Sequence, residues 1–360
     1  MTVKTSRAAQ ATIDLCACRH NLAIAKKASP ASRCFAIIKA NAYGHGMEKI
    51  AHALTEADAF GVATVNEALQ LRESGINKAI LLLEGFTSLD ELSLAREFNL
   101  ECVIHHESQL QLLEQDKGEA LKLVVKIDSG MHRLGFAAAE VSPVIQRITK
   151  MNHKLKLMTH LANADDKHDD KTIRQLETFY QSIENYTDLE ISIANSAGIL
   201  GWPQTHAEWN RPGILLYGVS PFLHDTAETH QLKPVMTLSS QLISVKKLKQ
   251  GDTIGYGGTY TCDKDMTVGV VAIGYGDGYP RHAKTGTPVL VNNKVCTLLG
   301  RVSMDMICVD LSEQPDAKVN DTVVLWGNGL AVEQIAESAE TIAYELLCGV
   351  TNRVEFIYRD

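Results

Sequence analysis

Phe35-Ala-Ile-Ile-Lys39-Ala-Asn-Ala-Tyr43-Gly-His-Gly46 passes from a buried apolar run to a glycine-punctuated loop, with one lysine at the junction. Cys34–Ile38 is short, aliphatic and without polar alternation, which is how an interior strand of a parallel sheet reads. Asn41, Gly44 and Gly46 then mark a loop. A lysine held in apolar surroundings loses the solvation that keeps its proton, and can serve as an imine-forming amine or a general base. A lysine that snorkels out of a strand end to water is the other reading of the same residues.

Outward from this strand the same texture repeats. Phe35–Ile38, Ala59–Ala63, Ala79–Leu83, Leu100–Ile104, Leu121–Ile127, Leu155–Leu161, Leu189–Ile193 and Ile214–Tyr217 are apolar runs. Between them, Asn66–Ser74, Ser88–Phe98, Glu107–Glu114, Ala138–Lys150 and Lys171–Asn185 carry apolar residues at helical spacing, several opened by capping side chains. Eight strands alternating with helices predict an α/β fold with a closed (β/α)8 barrel over 16–232. Beyond Leu232 glycine-punctuated segments (Thr237–Leu248, Thr267–Ile273, Pro288–Val291, Lys294–Leu299, Met306–Val309, Thr322–Leu325) predict a mostly antiparallel β-domain over 233–360.

A chain of 360 residues exceeds a single core, and its formal charge of −8 without a basic block argues against nucleic acid or an anionic membrane as partner. Residues 1–10 are polar with no apolar signal core, and no apolar stretch is long enough to span a bilayer, so a cytoplasmic chain is expected. The eight cysteines, Cys16, Cys18, Cys34, Cys102, Cys262, Cys296, Cys308 and Cys348, form no CxxC pair and read as free thiols. His105, His106, His153, His168 and His224 show no paired ligand spacing, so no metal is expected.

In such a barrel, groups at the C-terminal ends of strands gather at one mouth. Lys39, Lys126, Arg133, His160, Asn195, Ser196 and Arg211 all fall near predicted strand ends, with Arg211 just ahead of the last one. A phosphate bound there needs hydroxyls and backbone N–H groups, which Ser196, Gly213 and Ile214 can supply. Read alone, Ser196-Ala-Gly is also an ordinary helix cap, Arg211 a surface ion-pair former, and Tyr256 between glycines a turn aromatic.

Several separated motifs, in one order, are similar to those of alanine racemases, which use pyridoxal phosphate. They are Ala11-Thr-Ile-Asp-Leu, the Lys39 segment, Asp128-Ser-Gly-Met-His-Arg133, Thr159-His160-Leu-Ala-Asn, Asn195-Ser196-Ala-Gly and Asn210-Arg211-Pro-Gly213-Ile214. They continue through Gly255-Tyr256-Gly-Gly, Ile273-Gly-Tyr275-Gly-Asp, Arg301-Val-Ser-Met304-Asp305 and Tyr344-Glu-Leu-Leu-Cys-Gly. The resemblance implies that the N-terminal strand, within 1–15, joins the β-domain. It implies Lys39 as the cofactor lysine and the base for D-alanine, and Tyr256 of a partner subunit as the base for L-alanine. It assigns the cofactor phosphate to Tyr43, Ser196, the backbone of Gly213 and Ile214, and Tyr344. His160 and Arg211 fall in the same cofactor site, with Arg211 at the ring nitrogen, where it cannot accept a proton. Arg133 and Met304 hold the substrate carboxylate, Tyr275 with Tyr344 narrows the entrance to a methyl side chain, and Lys126 aligns with a lysine that is carbamylated in several members. An unmodified Lys126 beside Asp128 is the alternative.

What the resemblance implies, then, is a homodimer with composite sites that interconverts L- and D-alanine by a two-base route, for peptidoglycan or for alanine catabolism. Two competitors are a decarboxylase of the same architecture, which would need an acidic residue in place of Arg211, and a pyridoxal phosphate carrier built on the barrel alone.

Overall fold

The computed structural model describes residues 8–223 and 225–360; the polar N-terminal residues 1–7 and His224 lie outside the described residues. The chain divides into two units, one of Arg19–Leu216 with Ser220–Leu232, the other of the described residues up to Cys18, Tyr217–Val219 and Lys233–Asp360.

In chain order the elements are β1 (Gln10–Asp14), α1 (Leu15–Ala28), β2 (Arg33–Ile37), α2 (Lys39–Tyr43, a left-handed turn rather than a right-handed helix), α3 (Met47–Ala53), β3 (Ala59–Val62), α4 (Val65–Glu73), β4 (Ala79–Leu82), α5 (Leu89–Glu97), β5 (Glu101–Ile104) and α6 (Glu107–Gln115). They continue with β6 (Lys122–Asp128), β7 (Phe136–Ala137), α7 (Val141–Lys150), β8 (Lys154–Met158), α8 (Lys171–Ser182), β9 (Ile191–Ser192), α9 (Ser196–Gly201) and β10 (Trp209–Asn210). Helix starts follow local chemistry: Thr64 and Glu67 form a capping box on α4, and the Ser88 hydroxyl accepts from the Glu91 N–H on α5.

Parallel pairing runs β2-β3-β4-β5-β6-β8-β9-β10 and returns from β10 to β2, closing an eight-stranded barrel. Its interior is packed, with Phe35, Ile37, Ala59, Leu81, Val103, Val124, Met158 and Trp209 forming one buried cluster. At the N-terminal end of the barrel Trp209 stacks on Phe35 at 4.1 Å between centroids, while Arg33 and Lys156 lie over the indole at 4.3 and 4.4 Å. Glu190 accepts from both Arg33 and the Trp209 N–H, closing the floor with paired charges.

One expectation fails here. Ile214–Tyr217 is a buried 3-10 turn, and the strand that closes the barrel is Trp209–Asn210. A short apolar run does not distinguish a buried strand from a buried helical turn. The preceding Pro212 lacks a ladder N–H, and the Gly213 and Leu215 N–H groups donate to the Ser196 hydroxyl instead of to a neighbouring strand. Arg211 therefore follows the last strand rather than preceding it.

The second unit is built on β1, β11 (Met236–Leu248), β12 (Thr253–Ile254), β13 (Tyr260–Thr261), β14 (Met266–Val271), β15 (Pro288–Val291), β16 (Lys294–Leu299), β17 (Ile307–Asp310), β18 (Thr322–Trp326), α10 (Val332–Ser338), α11 (Ala343–Cys348) and β19 (Glu355–Arg359). Antiparallel pairings β11-β14-β17-β16-β15-β18-β11 form a closed cycle, made possible because the long β11 pairs β18 with its first half and β14 with its second. β1 adds antiparallel to β11 from Gln10↔Ser239 to Ile13↔Met236, and β19 adds parallel to β1.

Candidate active site

Lys39, Lys126, His160, Ser196 and Arg211 all sit at or just past the C-terminal ends of barrel strands. β2 ends two residues before Lys39, β6 carries Lys126, β8 leads into Thr159 and His160, β9 into Asn195 and Ser196, and β10 directly into Arg211. The residues singled out in this unit thus converge on the mouth from five strands.

Behind Lys39 the backbone turns the uncommon way. Ala40, Asn41, Ala42 and Tyr43 have φ of 52, 53, 55 and 51°, four consecutive left-handed residues without a glycine among them. This conformation costs about 1–2 kcal/mol per residue, so it persists only where surrounding bonds hold it. The Ala40 N–H donates to Glu67 Oε1 (2.7 Å), the Met47 N–H to Asn41 Oδ1 (2.8 Å), the Gly44 N–H to Ala40 O (3.0 Å) and the Gly46 N–H to Asn41 O (3.0 Å). The turn brings the Tyr43 phenol against the backbone of Gly213, where an added Cβ would lie 2.9 Å from Tyr43 Oη.

Ser196 is not the helix cap. Asn195 Oδ1 accepts from the Gly198 N–H at 2.9 Å and takes that role, leaving the Ser196 hydroxyl to accept from the Gly213 N–H (2.9 Å) and the Leu215 N–H (3.4 Å). Two hydroxyls and a glycine-lined backbone therefore meet at one point.

Arg211 is 4% exposed and is no surface ion-pair former. Its guanidinium donates to Ser192 Oγ (2.6 Å), Thr159 O (2.6 Å), Ile193 O (3.0 Å) and His160 Nδ1 (3.2 Å). Burial lowers its pKa only to about 10, so it stays charged at neutral pH. Because arginine only donates, His160 Nδ1 must accept, which places the imidazole proton on Nε2. Burial, together with Arg211, Lys126, Arg133 and Lys39 nearby, holds His160 well below the usual histidine range and keeps it neutral.

Lys126, 8% exposed, is pushed down to about 8, first by burial and then by Arg211, Arg133 and Lys39, with Asp128 opposing. The mouth is therefore a field of basic groups that favours an anion. A folded-state pKa below the ordinary lysine value means that protonated Lys126 destabilises the fold at every pH below about 8, a penalty that fades as pH rises from about 8 toward 10.5. Lys126→Met is accordingly expected to stabilise the cofactor-free protein by on the order of 2 kcal/mol at pH 7, with the gain shrinking by pH 10. Urea denaturation at the two pH values, in buffer free of carbon dioxide, measures it.

Arg133 is exposed at the end of a loop held by Asp128, whose Oδ1 accepts from the N–H groups of Gly130, Met131 and His132 at 3.0 Å each. The other sequence-predicted residues belong to the second unit. Tyr256 opens a 3-10 turn between β12 and β13, with Gly255, Gly257 and Gly258 at φ of 72, 74 and 54°, and is 71% exposed. Tyr275 and Met304 are tied by backbone, the Tyr275 N–H donating to Ser303 O (3.0 Å) and the Gly276 N–H to Met304 O (2.8 Å). Tyr344 is exposed on α11. Among the described residues no group of three His, Cys, Asp or Glu side chains could hold a metal ion, and no helix is long and apolar enough to cross a membrane.

Sequence reading gave no positioning role to Thr159, Ser192, Glu67, His45 or Gln175, the last of which donates to His160 O at 3.0 Å. Only Glu67 announced itself, as the third helical residue after Thr64. The others act through backbone carbonyls or through residues far away in the chain.

Comparison with known proteins completes the description. The family model described as "Alanine racemase, N-terminal domain" matches residues 13–221, and that described as "Alanine racemase, C-terminal domain" matches residues 235–358. An alanine racemase of Coxiella burnetii (strain RSA 331 / Henzerling II) is 48% identical over 360 residues, covering 97% of this chain and 98% of its own. The biosynthetic alanine racemase of Pseudomonas aeruginosa superposes with a TM-score of 0.95 at 43% identity, covering 98% of this chain and 100% of its own. The alanine racemase of Bartonella henselae, described with covalently bound pyridoxal phosphate, superposes with a TM-score of 0.89 at 30% identity over 98% and 99% of the two chains. Both halves of the chain are matched and the relatives are covered end to end, so the chain belongs to the alanine racemase family.

Proposed function

We propose that the protein is a pyridoxal phosphate-dependent racemase that interconverts L- and D-alanine, supplying D-alanine to peptidoglycan or drawing it into alanine catabolism. The observation that carries this is the convergence of Lys39, the Tyr43 and Ser196 hydroxyls and the caged Arg211 guanidinium on one barrel mouth.

The donors present suit the cofactor. Tyr43 Oη close to Gly213, with the Ser196 hydroxyl bonded to the Gly213 N–H, offers the neutral hydroxyl and amide donors that a phosphate monoester takes up; the backbone of Ile214 and the Tyr344 phenol complete the set in our reading. Bound there through Lys39, pyridoxal phosphate supplies an electron-withdrawing ring that acidifies the α-C–H of an amino acid.

The chain's own residues then divide the work. Arg211 presents a guanidinium that cannot take a proton from its neighbour, and His160 beside it stays neutral, so neither competes for the migrating proton. Arg133 offers a planar fork to the substrate carboxylate, joined by the Met304 N–H. Lys39 takes or returns the α-proton on the D face and Tyr256 on the L face, because inversion needs a base on each side of the α-carbon. Tyr275 and Tyr344 restrict the side chain to a methyl group. Lys126, with its amine partly unprotonated near pH 8, suits carbamylation by carbon dioxide.

We read Tyr256 and Met304 as donated by a second copy, in a homodimer with two composite sites. The exposure of Tyr256, Met304, Met306, Ile342 and Tyr344 in the second unit supports such an interface. We assign the barrel to 16–232 and the β-domain to 233–360 with the N-terminal strand within 1–15. Eight cysteines, most of them buried and none in a CxxC pair, suit a reducing cytoplasm. Caged Arg211 counts against the decarboxylase alternative, and the matched C-terminal domain against a carrier made of the barrel alone.

The test is incubation with L-alanine in deuterated buffer, following D-alanine and α-deuterium by chiral chromatography with mass detection. Tyr256→Phe is expected to retain the cofactor, to lose L-to-D conversion by about 10³-fold, and, when given D-alanine in a parallel incubation, still to wash deuterium into its α-position. Racemisation by the variant at the wild-type rate would overturn the two-base assignment.

A further inference from the structure

His45 lies in the segment quoted first and does no chemistry in the proposed reaction. Its side chain is completely buried, and its Nδ1 lies 3.0 Å from Ala42 O and 2.9 Å from Tyr43 O. Both partners are carbonyl oxygens, which only accept, so Nδ1 carries the proton and donates to both. Burial pushes the imidazole down to about 4, so this neutral tautomer persists across the working pH range.

The two carbonyls belong to the left-handed turn. Ala42 and Tyr43 are the last two residues of the four-residue run of positive φ, and the His45 N–H also donates to Ala42 O at 3.0 Å. The start of the turn is fixed from outside by Glu67 through the Ala40 N–H, and Asn41 ties it to α3. Its end, which carries the Tyr43 phenol, is fixed by His45. Without that clamp Ala42 and Tyr43 are free to relax toward right-handed backbone, which would swing the phenol away from Gly213.

We infer that His45 is a positioning residue for the cofactor phosphate: by donating from Nδ1 to the Ala42 and Tyr43 carbonyls it locks the left-handed turn and sets the Tyr43 hydroxyl on the phosphate-binding backbone at Gly213. This rests on the reading that pyridoxal phosphate binds through Lys39 and Tyr43.

The test separates the donor atom from mere packing. In His45→Asn the side-chain amide nitrogen sits at the δ position, where Nδ1 donates; in His45→Gln it sits one bond further out. The holoenzyme of each variant is diluted into buffer with excess inorganic phosphate as competitor, and cofactor loss is followed by the visible band alongside kcat and KM for L-alanine. His45→Gln is expected to lose cofactor about tenfold faster than wild type, and His45→Asn within about threefold of it.

Each variant is also made in a Tyr43→Phe background. If His45 acts through the Tyr43 hydroxyl, His45→Gln adds little to the loss already caused by Tyr43→Phe; a purely structural role gives additive effects. Equal behaviour of the Asn and Gln variants, or full additivity with Tyr43→Phe, overturns the inference. If His45→Gln fails to fold, the Asn variant in both backgrounds still decides it: a tenfold loss in Asn alone is incompatible with the δ-donor. Wild-type protein that takes up no pyridoxal phosphate would instead reject the reading on which the inference rests.

Discussion

Lys39→Ala is expected to reduce racemisation by at least about 10⁴-fold. Lys39 stands two residues beyond β2, at the start of the left-handed turn. Lys126 is a buried amine on β6, and its pKa is lowered to about 8 by burial and by Arg211, Arg133 and Lys39 nearby. A residual rate that disappears in the double variant Lys39→Ala/Lys126→Met would reveal Lys126 acting in its place. Borohydride treatment followed by peptide mass measurement checks the assignment directly: the wild-type Lys39 peptide should carry the reduced cofactor, and the variant should carry none. The phosphate donors are untouched by the change, so the variant should still bind pyridoxal phosphate reversibly.

The second large effect is on stability. Arg211→Met removes a buried guanidinium and leaves Thr159 O, Ile193 O, Ser192 Oγ and His160 Nδ1 without their shared donor. Leaving buried acceptors without their donor costs about 1–3 kcal/mol per group, and the two carbonyls stripped of it, Thr159 O and Ile193 O, stand just past the ends of β8 and β9 at the mouth. Arg211→Lys keeps the charge but replaces a planar fork by a single ammonium that cannot reach all four acceptors, so it should fall between wild type and Arg211→Met. Urea denaturation of the cofactor-free proteins measures the order. Equal stability of Arg211→Met and wild type would show that water replaces the guanidinium at no cost, and that the network does not hold these strand ends.

The barrel was legible because its signals are local. Apolar runs of mostly four or five residues, capped helices and glycine breaks recur from Phe35 onward, and membership of the alanine racemase family was legible through motifs quoted residue by residue. The closing strand was missed because β9 and β10 are two residues each, too short to carry a pattern, whereas the neighbouring run Ile214–Tyr217 carries one and is not a strand. The left-handed turn was invisible because alanine, asparagine and tyrosine do not advertise positive φ; only Gly44 and Gly46 hinted at unusual backbone. The cage around Arg211 could not be read because two of its four acceptors are main-chain oxygens, which look the same at every position, and the other two, Ser192 and His160, lie far from it in the chain. Asn195 rather than Ser196 caps α9, a distinction that requires knowing which side chain faces the helix.

The shortness of β9 and β10 has a further consequence. Elsewhere the barrel is zipped by ladders of up to five paired positions, as between β6 and β8, but β9 and β10 share a single paired position, Ser192 with Trp209. What keeps that seam shut is mostly side-chain chemistry: Arg211 reaching across to Ser192 and Ile193 and Ser196 to the Gly213 backbone at the rim, the Ser192 hydroxyl to Trp209 O, and the Trp209 indole to Glu190 at the floor, with the Arg211 N–H to Ala194 O as a backbone bond beside them. Segments held this way open at a lower free energy than the global fold. In the cell a newly made chain would thus present its proteolytic weak point at the seam, and a ligand seated on that rim raises the cost of opening by RT ln(1 + [L]/Kd). Occupancy of that rim would then govern how long the chain survives as well as how stably it folds.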